Sequence, residues 1–250
     1  MATATSSTVV KAFHVLALFR SRPLLGAAEC ARLLGLPRAT AHRMLVSLAQ
    51  AGALEATPKG QYRLTLRMFE LGQHVPYQRW LFDAAYLPME ALVSKTGLAA
   101  HFAVRDGGEL VYFLKLRHAP DRTRARSGER NSLHATAIGK VLLAHAPEEV
   151  VSELLSQGLH RFTSYTITTQ DQLREQLQRV REEGFAYDRE ERTVGLVSIA
   201  TAIRDPKGGS PAALSLLAPV EKYRQRLESL KQDLSAAKRT IEANLSRPRD

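Results

Sequence analysis

Apolar positions in the first fifty residues recur at helical spacing. Val10, Phe13 and Leu16 or Ala17 mark one helix, which Ser7 or Thr8 can cap. Ala28, Ala31 and Leu34 mark a short second helix, and Ala41, Leu45 and Leu48, with Met44 beside them, a third over 38–50. Between these two stands Gly35–Leu36–Pro37. The glycine can take the positive φ that ends a helix, and the proline suits the first turn of the next. LEATPKGQYRLT comes next as two strand-like runs around Pro58–Lys59–Gly60, with proline and glycine at the second and fourth positions of a type I turn. Helix, tight turn, helix and β-ribbon form the pattern of a helix-turn-helix with a wing.

Beyond the ribbon, LRMFELGQHV predicts a further turn or two of helix. Pro76 and Pro88 interrupt the next stretch, so two or three helical pieces are expected there rather than one rod, with Gly97 as the stop. Trp80, Leu81, Phe82 and Tyr86 make this connector too apolar for a free linker. From residue 98 the period changes to two. LAAHFAV and LVYFLKL read as a hairpin about Asp106–Gly107–Gly108, and 117–132 as an irregular, arginine-rich crossing. SLHATAIGKVLLAHA and PEEVVSELLSQG return to helix. Thr169 with Gln172 fits a capping box for a helix whose stripe is Leu173, Leu177 and Val180 and whose end is Gly184. FAYDRE, GLVSIATAIRD and PAALSLLAP are strands, the last two joined at 206–209, and a charged helix runs from about Glu221 to Ser246. Two strands, helices and three strands predict an α+β domain with a mostly antiparallel sheet.

The exposed side of helix 38–50 gives the first candidate chemistry. Arg38, Thr40, Arg43 and Ser47 lie opposite the apolar stripe, with His42 near its margin, and Lys59 sits at the ribbon tip. Arginine can pair with guanine in two-toothed fashion, and hydroxyls reach phosphates or base edges. The alternative is a helical hairpin whose arginines merely solvate its surface. Charge favours DNA: residues 1–75 hold nine Lys or Arg against three Glu, in a chain of formal net charge +10. Such an excess raises affinity for any phosphate backbone and carries no sequence preference. The single cysteine, Cys30, excludes an internal disulfide and is expected to pack. Residues 1–6 are expected to be loose. No run approaches a membrane span and the first residues lack a secretion signal, so a soluble, cytoplasmic protein is expected.

Reactive constellations are missing from the pattern. The eight histidines show no metal-ligand spacing, and there is no nucleophile elbow, P-loop or dinucleotide fingerprint. Asp188, Glu190 and Glu191 lie in a charged strand end, where carboxylates are usually solvated. In 196–203 one face carries Val197, Ile199, Thr201 and Ile203, and the other Leu196, Ser198, Ala200 and Ala202. Ala213, Ser215 and Leu217 give a similar face on the next strand. Small residues leave volume that either a helix or a ligand must fill.

SLHATAIGKVLLA (132–144) and EEGFAYDREERTVGLVSIATAIRDPKGGSPAALSLLAP (182–219) resemble the signature of IclR-type bacterial transcriptional regulators. LPRATAHRMLVSLAQAG and YRLTLRMFELG are similar to that family's DNA-binding half, and the resemblance covers 7–245. It implies a winged helix-turn-helix over 1–66, a helical linker and dimerisation region over 67–96, and a GAF-like effector-binding domain over 97–250. It further implies a homodimer or dimer of dimers on a pseudo-palindromic double-stranded operator, a small organic acid as effector, and no cofactor or catalytic residue. The connector is the expected switching element.

By position, the resemblance places the effector against Ala137, Ile138, Asp188, Ser198, Ser215 and Leu217. Ile138 stands where a smaller residue can occur and Leu217 where a serine can, which points to a larger or partly aromatic acid. A carboxylate at Asp188 repels an anion, so it could instead bind a ligand hydroxyl, carry a proton, or hydrogen-bond its loop. Gly139 can equally serve helix packing. Two other classes compete: an architectural DNA-binding protein without a sensing function, marked by no ligand-induced thermal shift, and an enzyme with an accessory basic domain, marked by turnover.

Overall fold

The computed structural model describes residues 5–75, 78–117, 128–206, 212–223 and 226–247, in two compact units, Met1–Gln78 and Arg79–Asp250. The expectations for residues 1–4, for Pro76, for 118–127 of the arginine-rich crossing and for the turn residues 207–209 lie outside the described residues. No helix among the described residues is long and apolar enough to cross a membrane.

The first unit runs α1 (Ser7–Leu18), β1 (Leu25–Gly26), α2 (Ala27–Leu34), α3 (Arg38–Gln50), β2 (Leu54–Ala56), β3 (Gln61–Leu64) and α4 (Leu66–Gln73). Val15, Phe19, Leu25, Cys30, Ala31, Ala41, Met44, Leu45, Leu54 and Tyr62 form its core. Gly35 ends α2 in the left-handed conformation at φ 61°, and Leu36 N–H returns to the Ala31 carbonyl at 2.9 Å. The ribbon tip closes through Gly60 N–H to the Thr57 carbonyl at 3.0 Å. The two-residue β1 has no counterpart in the sequence pattern: it pairs Leu25 with Tyr62, giving the order β1-β3-β2. Two residues are too few for an alternation to register. Cys30 is buried and its thiol pKa raised by that burial, as packing requires.

The second unit begins with α5 (Gln78–Thr96), a single helix that carries Pro88 inside it. This corrects the expected break at that proline. Leu81, Ala84, Ala85, Met89, Leu92 and Val93 belong to this unit's core. Then come β4 (Ala99–Asp106), β5 (Glu109–Leu116), β6 (Arg130–Ser132), α6 (Ala137–Ala144), α7 (Glu148–Ser156), α8 (Gln170–Glu183), β7 (Phe185–Arg189), β8 (Leu196–Ile203), β9 (Ala212–Pro219), α9 (Val220–Tyr223) and α10 (Leu227–Leu245). The end of the expected irregular crossing is thus strand β6, pairing Glu109 with Ser132. Thr169 caps α8 by backbone position without the expected side-chain bond. The last helix is divided, and Arg226 at the start of α10 donates Nη1 to the Thr96 carbonyl at the end of α5, 3.1 Å away.

Strand order is β6-β5-β4-β9-β8-β7, antiparallel throughout. One face, with Ala100, Phe102, Leu114, Ile199, Ile203, Leu214 and Leu216, packs on α5 and α10. The other, with Ala103, Tyr112, Ala186, Ala200, Ala202 and Ala213, packs on α6 and α8. Alternating residues of β8 and β9 fall on opposite faces, as period two requires. The small-residue face is filled over much of its area by a helix, α6.

Candidate functional site

Helix α3 buries Ala41, Met44 and Leu45 and turns its other side to solvent. Arg38, His42, Arg43 and Ser47 are exposed there, and Thr40, half-buried, rather than His42 forms the margin. Gln50 shares this exposed side; the sequence pattern did not single it out, although its helical spacing from Arg43 places it there. Lys59 is exposed at the ribbon tip. Arg63 on the ribbon is neutralised by Glu55 at 2.5 Å, but among the described residues no carboxylate pairs with Arg38, Arg43 or Lys59. These three cations on one helix and ribbon remain available to an anionic polymer. Arg67 Nη1 donates to the Ala51 carbonyl at 3.0 Å and Thr65 Oγ1 to the Gly52 carbonyl at 2.5 Å, fixing the end of α3 against the start of α4.

The second cluster is built by register. Asp188, Ser198, Leu217 and Ala99 form one row across β7, β8, β9 and β4, and Ala186, Ala200, Ser215 and His101 the next. Both rows face α6. Asp188, Ser198 and Ser215 are buried, Leu217 half-buried, and Ala137 and Ile138 are buried in the first turn of α6. Thr136 caps that helix: its Oγ1 accepts from Gly139 N–H at 3.0 Å and donates to the Ser132 carbonyl at 2.9 Å, while its carbonyl takes Lys140 N–H. The Ala137 and Ile138 amides belong to the first turn, whose N–H groups have no partner within the helix. Gly139 has a packing reason, since a Cβ there would stand 2.5 Å from the Leu133 carbonyl oxygen.

Asp188 serves its loop. Its Oδ1 accepts Glu191 N–H at 2.8 Å and Arg192 N–H at 3.4 Å, across a turn that holds Glu190 at φ 64°. Burial pushes the Asp188 carboxyl up to about 6, and the Glu191 charge adds to the shift while these N–H bonds oppose it. Glu191 is not solvated as expected: Lys140 Nζ, fully buried on α6, meets its Oε1 at 2.6 Å. Thr163 and Thr166 hydroxyls donate to the Glu190 and Glu191 carbonyls at 2.8 Å and 2.6 Å, tying this turn to the loop before α8.

Sequence reasoning missed the residues beside these rows. Tyr112 OH accepts from Asn131 Nδ2 at 3.3 Å, and Asn131 Oδ1 accepts from Arg192 Nε at 2.8 Å. Arg192 in turn lies over the Phe162 ring at 4.2 Å. His101 stands edge-on to Tyr112, with ring centroids 5.2 Å apart. Alternation along β4 puts His101 on a definite face, but nothing local names the strands beside it. Among the described residues no group of three His, Cys, Asp or Glu side chains is placed to hold a metal.

Two family models match the chain: the IclR helix-turn-helix domain over residues 8–58, and the bacterial transcriptional regulator IclR C-terminal domain over 75–243. The HTH-type transcriptional regulator KdgR of Dickeya chrysanthemi is 33% identical over 96% of this chain and 79% of its own length. KdgR of Escherichia coli is 32% identical over 96% and 92%. Among solved structures, an IclR homologue from Microbacterium hydrocarbonoxydans, complexed with 4-hydroxybenzoate, is 29% identical with a TM-score of 0.85, covering 96% of this chain and 99% of that one. The exposed cations of the winged helix-turn-helix, the α+β second unit and these matches agree: the chain belongs to the IclR family of bacterial transcriptional regulators.

Proposed function

We propose that this protein is a cytoplasmic, effector-responsive regulator that recognises a pseudo-palindromic operator through Arg38, Thr40, His42, Arg43, Ser47 and Lys59. On the exposed side of α3, Arg38 and Arg43 have no acidic partner among the described residues, which leaves both free to meet phosphates and base edges. Residues 1–66 read DNA, 67–96 connect and dimerise, and 97–250 sense the effector. Self-association is supported by Val9, Val10 and Phe13 on α1 and by Leu66, Phe69 and Leu71 on α4, large apolar side chains left exposed. A dimer sets two recognition helices on successive major grooves, about 34 Å apart.

The effector is an aromatic acid, bound against Ala137, Ile138, Asp188, Ser198, Ser215 and Leu217. Its carboxylate takes the first-turn amides of α6, and Ile138 and Leu217 give the apolar wall. The 4-hydroxybenzoate held by the Microbacterium relative supports the class. Such a ligand changes DNA affinity only by binding one arrangement of the dimer more tightly, typically by ~1–3 kcal/mol or roughly 5- to 150-fold. The connector is where that difference passes. The test is protection of labelled DNA from upstream of the protein's own gene against excess random competitor, with and without 4-hydroxybenzoate. A short protected site whose occupancy changes with the acid supports the proposal. Binding that is competed away and collapses with salt marks the cations as electrostatic only, and an unchanged complex marks a non-sensing architectural protein.

A further inference from the structure

Among the described residues three buried side-chain atoms lack a hydrogen-bond partner: His101 Nε2, Glu191 Oε2 and Tyr223 OH. Glu191 is anchored by Lys140 through its other oxygen, and Tyr223 lies among the residues packed on the opposite face of the sheet. His101 has no such explanation. It is 7% exposed, pairs across β4 and β9 with Ser215, and projects on the face that carries Ser198, Leu217 and Asp188. A buried ring nitrogen without a partner costs stability, and a ligand group that reached it would remove that cost.

We propose that His101 determines effector specificity, its Nε2 hydrogen-bonding a hydroxyl carried by the aromatic acid while the carboxylate lies toward α6. This rests on the effector reading above. Burial, with the nearby Lys115 and Arg117 charges, keeps the imidazole neutral by pushing it down to about 3. A neutral imidazole presents Nε2 as donor or acceptor according to its tautomer, and a hydroxyl satisfies both because it donates and accepts. The Tyr112 ring, edge-on to His101, gives the aromatic acid an apolar neighbour at that end.

Titration calorimetry of the full chain with 4-hydroxybenzoate and with benzoate tests this, on wild type, His101→Leu and His101→Gln. Wild type is expected to prefer the hydroxylated acid by about tenfold, the worth of one well-made hydrogen bond. His101→Leu should bind both acids alike, and His101→Gln should recover part of the preference. Without ligand, His101→Leu should melt no lower than wild type, since it removes an unmet polar atom. Equal binding of the two acids by wild type, or a preference that survives in His101→Leu, overturns the proposal and leaves the effector site standing. Failure of both acids to bind wild type overturns the aromatic-acid reading and this proposal together, while leaving DNA recognition untouched. A lower melting temperature for His101→Leu with discrimination intact makes His101 structural and overturns the assignment.

Discussion

Asn244 Nδ2 donates to the Ala84 carbonyl at 3.0 Å, and Ala84 is the residue whose helical partner would have been the N–H that Pro88 lacks. A side chain 160 residues away thus replaces a main-chain bond and lets α5 run unbroken through a proline. Asn244→Ala should lower unfolding free energy by about 1–3 kcal/mol, because it leaves a partly buried carbonyl unmet. The same change made in Pro88→Ala should cost markedly less, since Ala84 then regains its main-chain partner. Chemical denaturation of the four proteins of this cycle checks it; equal costs in both backgrounds would mean that Asn244 acts elsewhere.

Gly139 lies inside a helix, where alanine normally stabilises by about 1 kcal/mol. Here the sign should reverse. A methyl 2.5 Å from the Leu133 carbonyl oxygen forces the loop before α6 to move, so Gly139→Ala should destabilise by about 1–3 kcal/mol. Melting curves decide it, and a gain in melting temperature would contradict this packing account.

Removing Lys140 strands the Glu191 carboxylate in the interior. Lys140→Met is expected to destabilise by about 3–5 kcal/mol, whereas Lys140→Met with Glu191→Leu should return most of that loss. Urea midpoints of the single and double variants read this directly; no recovery in the double variant would show that the pair is needed for more than its charge balance.

Much of this architecture is legible in the chain. The turn between α2 and α3 follows from Gly35 and Pro37 standing between two periodic runs, and the two faces of β8 follow from alternation alone. Pro88 misleads because its remedy, Asn244, is remote in sequence. Glu191 reads as solvated for the same reason: its partner Lys140 lies 51 residues earlier. The residues suggested for the effector by resemblance do lie in adjoining rows or on the helix that faces them. His101 is invisible as a candidate because only the register of β4 against β9 brings it beside Ser215. Local pattern names elements and faces; the pairing of faces needs the folded chain.

Asp188 and His101 impose opposite pH dependences on stability. The Asp188 carboxyl moves from 3.8 up to about 6, so across that window the folded protein holds more protons there and stability falls as pH rises. His101 moves from 6.5 down to about 3, so the folded protein holds fewer and stability rises with pH. Asp188→Asn should therefore gain stability relative to wild type from pH 4 to 6, by up to about 3 kcal/mol, and then level off. His101→Leu should show a relative gain that grows as pH falls from 6.5 toward about 3. Unfolding free energies at half-unit pH steps check both signs; flat differences would show that neither group is shifted.

If the exposed side of α3 reads DNA sequence, Arg43→Ala should lose discrimination while keeping its fold. Affinities for DNA from upstream of the protein's own gene and for random DNA of equal length should be measured at one salt concentration. The variant should keep its weak binding to random DNA while losing about 1–3 kcal/mol of preference for the specific site. A variant that holds the specific site as tightly as wild type would contradict the assigned orientation of the recognition helix.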